Sequence, residues 1–124
     1  MVFIQKFVAQ TLGFLNSIKS LHWSTSSHSV HMALDQLFGI IQTQLDQFVE
    51  TYAGGFQRAG FPLLRLNTAV HLRSTDVADI EKYLGSHATY YNKVKTRLAN
   101  SALENIVDEF CNAISQCRYR LTLR

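Results

Sequence analysis

Six residues between positions 21 and 50, in LHWSTSSHSVHMALDQLFGIIQTQLDQFVE, are of the types that hold metal ions: His22, His28, His31, Asp35, Asp46 and Glu50. Three of the chain's 9 carboxylates lie in this stretch. His31 and Asp35 are one helical turn apart, and so are Asp46 and Glu50, so each pair can share an ion. The two pairs stand about 16 Å apart at about 1.5 Å per residue, too far for one chain to close them on one ion. Two antiparallel copies related by a two-fold axis near Ile40 bring Asp46 and Glu50 of one chain opposite His31 and Asp35 of the other. Gly39 lies beside that axis, where a missing side chain lets two backbones approach. The spacing therefore points to two equivalent metal sites at an isologous dimer interface. A solvated helix face with scattered charges is the alternative.

The element that must position these groups is one long helix. At about 100° per residue, Val30, Leu34, Leu37, Phe38, Ile41, Leu45, Phe48, Val49 and Tyr52 form a single core-facing stripe. His31, Asp35, Asp46 and Glu50 form a second stripe roughly 120° away, joined by His28, Gly39 and Gln42. The candidate ligands thus sit on a flank, not on the core face where an intrachain bundle site would lie.

His22-Trp23, HxxxD at His31 and Asp35, Asp46 eleven residues on and Glu50 four beyond resemble the Dps mini-ferritins, ferritin-like proteins that protect DNA during starvation. The resemblance implies an iron-oxidising centre between two-fold-related subunits. His22, His31 and Asp35 of one subunit would face Asp46 and Glu50 of the other, with Trp23 beside the centre. The segment from His22 to His31 is shorter than the family's, and STSS replaces its Gly-containing turn, which makes His28 a second candidate for the place of His22. The resemblance further implies a dodecameric shell, with iron as the metal. The oxygen and imidazole donors themselves suit iron, zinc or manganese. The family's lysine-rich N-terminal arm has no counterpart here. Contact with DNA would fall to the terminal CRYRLTLR, where three arginines are more simply solvating groups at a helix end.

A chain of 124 residues is long enough for one domain with its own core. Charged residues make up 17% of it, against roughly 25% in ordinary soluble chains, which favours a protein that hides much of its surface in contacts. A net charge of +3 permits anionic partners without demanding them. Cys111 and Cys117, if helical, point about 120° apart and cannot pair with each other. Two reduced thiols fit a cytoplasmic site or the inside of a viral or other protein assembly. No run of 18 apolar residues is present, so no membrane span is expected. Gln5, Lys6 and Gln10 interrupt the apolar start at helical intervals, which argues against a secretory signal.

The spacing predicts an all-α fold, a ferritin-like four-helix bundle over residues 1–124 with a long crossover between helices two and three. Helix one covers 2–22, with Phe3, Phe7, Phe14, Ile18 and Leu21 on one face. Residues 23–29 turn, and helix two runs over 29–53 to a stop at Gly54-Gly55. The crossover spans 54–75, with a short helix around 63–72 and His71 as a structural or exposed residue. Helix three covers 76–99, capped by Thr75, with His87 as a hydrogen-bonded core histidine and Lys93, Lys95 and Arg97 as a solvated end. Ser101 and Glu104 form a capping box for helix four. Glu104, Asp108 and Glu109 either line a pore, as the family resemblance implies, or complement the helix dipole.

Two functions follow. One is an iron-binding mini-ferritin that oxidises Fe(II) between subunits and stores it. The other is a ferritin-like structural module of a shell, particle or virion, favoured by the shortage of acids to nucleate mineral. An intrasubunit di-iron enzyme needs Glu-x-x-His pairs on core faces, and no acid here is followed three residues later by histidine.

Overall fold

The computed structural model describes residues 2–57, 60–66, 72 and 74–123. Among the described residues, four α-helices carry the fold: α1 (Val2–Ser24), α2 (His28–Tyr52), α3 (Val77–Leu98) and α4 (Ser101–Leu121). A π-turn, Ala53–Gln57, follows α2, so the chain winds on through Gly54 and Gly55 where a stop was expected. No strand occurs among the described residues.

α1 packs on α2, α2 on α4, and α3 on α4. α1 and α3 stand further apart and touch through long side chains. Phe3 lies under Arg97, Thr11 meets Tyr91, and Phe14 stacks on His87. Those three contacts run in opposite order along the two helices, so α1 and α3 are antiparallel. The α1–α2 and α3–α4 turns are short, which makes each of those pairs antiparallel as well. It follows that α2 and α3 point the same way.

The core is assembled from apolar stripes at helical spacing. Phe7 of α1, Phe48 of α2, Tyr91 of α3 and Phe110 of α4 meet at one level, each fully buried. The Phe7 ring centroid is 4.7 Å from that of Phe48, 5.9 Å from Tyr91 and 6.0 Å from Phe110. The Tyr91 hydroxyl, buried among them, donates to Thr11 Oγ1 at 3.0 Å, so the one polar atom in this layer is satisfied. Burial pushes the Tyr91 phenol far above its usual range. Among the described residues the buried polar side chains are Thr11, Ser17, His22 and His87, and none is a carboxylate. An intrachain di-metal centre therefore has no place in the bundle core.

Helix ends differ from the sequence expectation by a residue or two. α1 extends to Ser24, leaving only residues 25–27 outside helix. α3 is preceded by Asp76 rather than Thr75, and Asp76 makes no side-chain cap bond. α4 is capped by Asn100, whose Oδ1 accepts from Leu103 N–H at 3.0 Å, and Ser101 is already the first helical residue. The capping box is thus out of register by one position: an Asn carboxamide serves as well as a serine hydroxyl, and it stands one residue earlier. Ala99 adopts φ 49°, a left-handed close to α3 made by a residue other than glycine. In the crossover, residues 63–66 are not helical; the rest of the expected short helix, with His71, lies outside the described residues apart from Leu72.

Both cysteines are free. Cys117 is fully buried, its thiol 3.6 Å from the Ala33 carbonyl oxygen, and burial pushes it up to about 11. Gly85 has a packing reason: a Cβ there would lie 3.1 Å from Arg118 Nη1. Its absence lets Arg118 cross α3 to Glu81, with Nη2 at 2.9 Å and Nε at 3.3 Å from one carboxylate oxygen. One of the three terminal arginines is thereby committed within the chain. Among the described residues, no helix is long and apolar enough to cross a membrane.

Candidate metal half-site on the flank of α2

The site begins with a tight connection. Thr25 N–H donates to the Leu21 carbonyl at 3.0 Å, and Ser27 N–H donates to Thr25 Oγ1 at 3.2 Å. Ser27 then opens α2 by accepting from Val30 N–H at 3.3 Å. These hydroxyl-made turns fold the last turn of α1 over the first turn of α2 without a glycine.

The result is a histidine stack. His22 and His31 lie face to face, with ring centroids 3.8 Å apart and planes inclined by 23°. His31 Nδ1 is 2.9 Å from the carbonyl oxygen of His22. A carbonyl can only accept, so Nδ1 carries the proton and, in the neutral ring, Nε2 holds the lone pair. Metal-binding histidines are oriented in this way, with the distal nitrogen anchored on a backbone carbonyl. His28 is exposed, with its ring 6.4 Å from that of His31. His22 therefore reaches the site despite the short turn, and His28 stands at its edge.

Asp35, one turn beyond His31, places Oδ1 3.5 Å from His22 Nε2. Two donors bound to one ion at about 2.1 Å each lie no more than about 4.2 Å apart, so this spacing fits a shared ion. His22 is 8% exposed, and neither of its ring nitrogens has a hydrogen-bond partner. Burial lowers its pKa below the ordinary value, with His31 and Lys19 adding to the shift and Asp35 opposing it. The ring is consequently neutral at pH 7, the form that can donate to a metal.

Asp46 and Glu50 lie further along the same flank, exposed, and among the described residues neither makes an ion pair. Within the single chain, no three described His, Cys, Asp or Glu side chains converge as an ion site. Gly39 is exposed between the two pairs, and a Cβ added there would meet nothing within 4 Å. Packing inside the chain gives no reason for glycine in mid-helix, where it costs about 1 kcal/mol relative to alanine. Trp23 is 72% exposed next to the stack, with Lys19 Nζ 5.9 Å from its ring and 4.5 Å from that of Phe38.

Other expected groups are accounted for. His87 is buried, stacked on Phe14 at 4.0 Å, with Nδ1 donating to the Tyr83 carbonyl at 3.3 Å, as a core histidine should be. Asp108 is bridged to Lys95 at 2.8 Å, so neither is simply solvated. Periodicity could not show the anchoring of His31, which depends on the path of the turn. The hydroxyl-rich STSS run is its only trace in the sequence.

Neither a curated protein nor a solved structure matches the chain. A family model does, over residues 22–121, from the first histidine of the stack to the end of α4. The chain belongs to that family, described as Family of unknown function (DUF5856).

Proposed function

We propose that the protein is a compact, ferritin-like iron protein of the mini-ferritin kind, whose metal sites close only when two copies meet along α2. The observation that carries this reading is His22: buried, neutral, both nitrogens unpartnered, stacked on His31 and facing Asp35. An imidazole in that position carries a desolvation cost that the Asp35 carboxylate offsets only in part, which is expected of a ligand awaiting its ion. Gly39 supports the second half, as do Asp46 and Glu50, which pair with no described residue, since a two-fold near Ile40 sets them against the stack of the other copy. The parallel course of α2 and α3 supports the ferritin-like connectivity.

In this reading Asp35 and Glu50 anchor Fe(II), His22 and His31 tune it, and Asp46 is an outer or second-iron ligand. Two Fe(II) each give one electron to one peroxide, whose O–O bond breaks. The ferric ions hydrolyse to oxyhydroxide and release protons to solvent. The carboxylates bring the cations together against their mutual repulsion, and the anchored His31 keeps its lone pair aimed outward. Trp23, exposed beside the stack, could quench stray oxidising equivalents.

Growth of ferric absorbance after Fe(II) and peroxide are added tests the reading. Wild-type protein should show fast ferroxidation and Glu50→Ala should not; equal rates would end it. The acid-poor composition favours the second reading, a ferritin-like assembly module without iron storage. Sizing with metal analysis separates the two: a hollow oligomer holding iron supports storage, and a metal-free dimer supports assembly.

A further inference from the structure

The α1–α3 seam, the wider of the bundle's seams, contains a cavity of about 450 Å³. That is within the about 300–1,000 Å³ typical of small-molecule sites. Its walls are aromatic: Phe14 from α1, Tyr83 and Tyr90 from α3. Its rim is cationic, with Lys6 from α1, Arg97 from α3 and Arg65 from the crossover. No carboxylate lines it, and none of the three cations makes an ion pair with a described residue. Arg97 is held in place across the Phe3 ring, its guanidinium carbon 3.9 Å from the ring centroid.

Gly13 lines the hollow. It sits in the middle of a 23-residue helix, where glycine is unfavourable, yet a Cβ there would meet nothing within 4 Å. Ala9, one turn earlier, is also small. A methyl group is accepted at Gly13 by the chain's own packing, and a longer side chain there would project toward the cavity that this residue lines.

We propose that this cavity binds a small amphiphilic carboxylate, its head held by Lys6, Arg65 and Arg97 and its apolar body lying on Phe14, Tyr83 and Tyr90. Three positive side chains lining one cavity with no acid among them favour an anion. The aromatic walls require an apolar body behind the head, so a bare inorganic anion satisfies only half of the site. The α2 metal chemistry plays no part in this binding.

Titration calorimetry with decanoate tests it, with acetate, decanol and decyltrimethylammonium as the other arms. The expected result is saturable binding of one decanoate per chain, with each other probe weaker by about tenfold or more. Lys6→Glu should weaken decanoate by about tenfold or more, and Gly13→Leu should abolish its binding while helix content by circular dichroism stays unchanged. Equal binding of decanoate and decyltrimethylammonium, or decanoate binding untouched by Gly13→Leu, overturns the proposal. So does a wild-type protein that ignores decanoate but loses an oligomer when Gly13 is filled, which assigns the seam to a second copy.

Discussion

Replacing His22 by leucine should stabilise the metal-free protein and remove its response to metal. The imidazole is 8% exposed with two unpartnered nitrogens, and a buried polar group left unsatisfied costs about 1–3 kcal/mol. Leucine has similar volume and no polar atoms. Against that gain stands the lost stacking on His31, worth about 0.5–1.5 kcal/mol. The Asp35 carboxylate at 3.5 Å already relieves part of the penalty in the wild type. The net expectation is a gain of about 1 kcal/mol, or about 3–5 °C in Tm for a chain of this size. With Fe(II) or Zn(II) at about one hundred times Kd, the wild type should gain about 2.7 kcal/mol by linkage, and His22→Leu should gain almost none. Thermal unfolding followed by circular dichroism, with chelator and then with metal under anaerobic conditions, reads both effects. A metal-free Tm well below wild type would mean that the imidazole serves the fold, and a full metal-induced shift in the variant would mean that it is no ligand; either result refutes the reasoning.

Stability should also depend on pH through His22. Its folded pKa lies below the unfolded value of about 6.5, so the unfolded chain binds the proton first. Stability is therefore full above that value, falls as pH drops below it, and levels off once the folded imidazole is charged; His22→Leu should flatten this part of a urea-midpoint profile. In the core, Thr11→Val leaves the buried Tyr91 hydroxyl without its acceptor and should cost about 1–3 kcal/mol in denaturant titrations, more than Tyr91→Phe, which removes the hydroxyl itself. Gly85→Ala should be neutral or slightly stabilising: the displaced Arg118 loses a half-exposed pair with Glu81 worth about 0–1 kcal/mol, while helix propensity improves by about 1 kcal/mol. A loss of more than about 2 kcal/mol there would show that the Arg118 crossing matters far more than its exposure implies.

Much of this was legible in the residues. The apolar stripe of α2 and the separate flank of His31, Asp35, Asp46 and Glu50 follow from spacing alone, because a helix turns by a fixed angle and tertiary contacts do not change which residues share a side. The expected core face of α1 is buried apart from Phe3, and His87 is the stacked core histidine its position suggested. Helix ends were less legible, because Asn100 and Ser101 are both good caps and only the local backbone decides between them. The His31 anchor and the His22–Asp35 approach depend on how three turn residues fold, which periodicity does not encode. The α1–α3 cavity was hidden for a different reason. Arg97 reads as part of a solvated helix end and Lys6 as a break in an apolar stretch, and only the fold brings them with Arg65 to one hollow.

The central claim is that each copy carries half of a site. It is tested most directly by co-expressing His31→Ala and Glu50→Ala chains and measuring bound metal. Each variant alone should bind none, since both sites of its dimer lack a ligand. In a random mixture about half the dimers are hybrids, and each hybrid has one site with both ligands intact, so binding should return to about a quarter of the wild-type level. Recovery near that level is the predicted result; a mixture that binds no more than the average of its two parents contradicts the shared site.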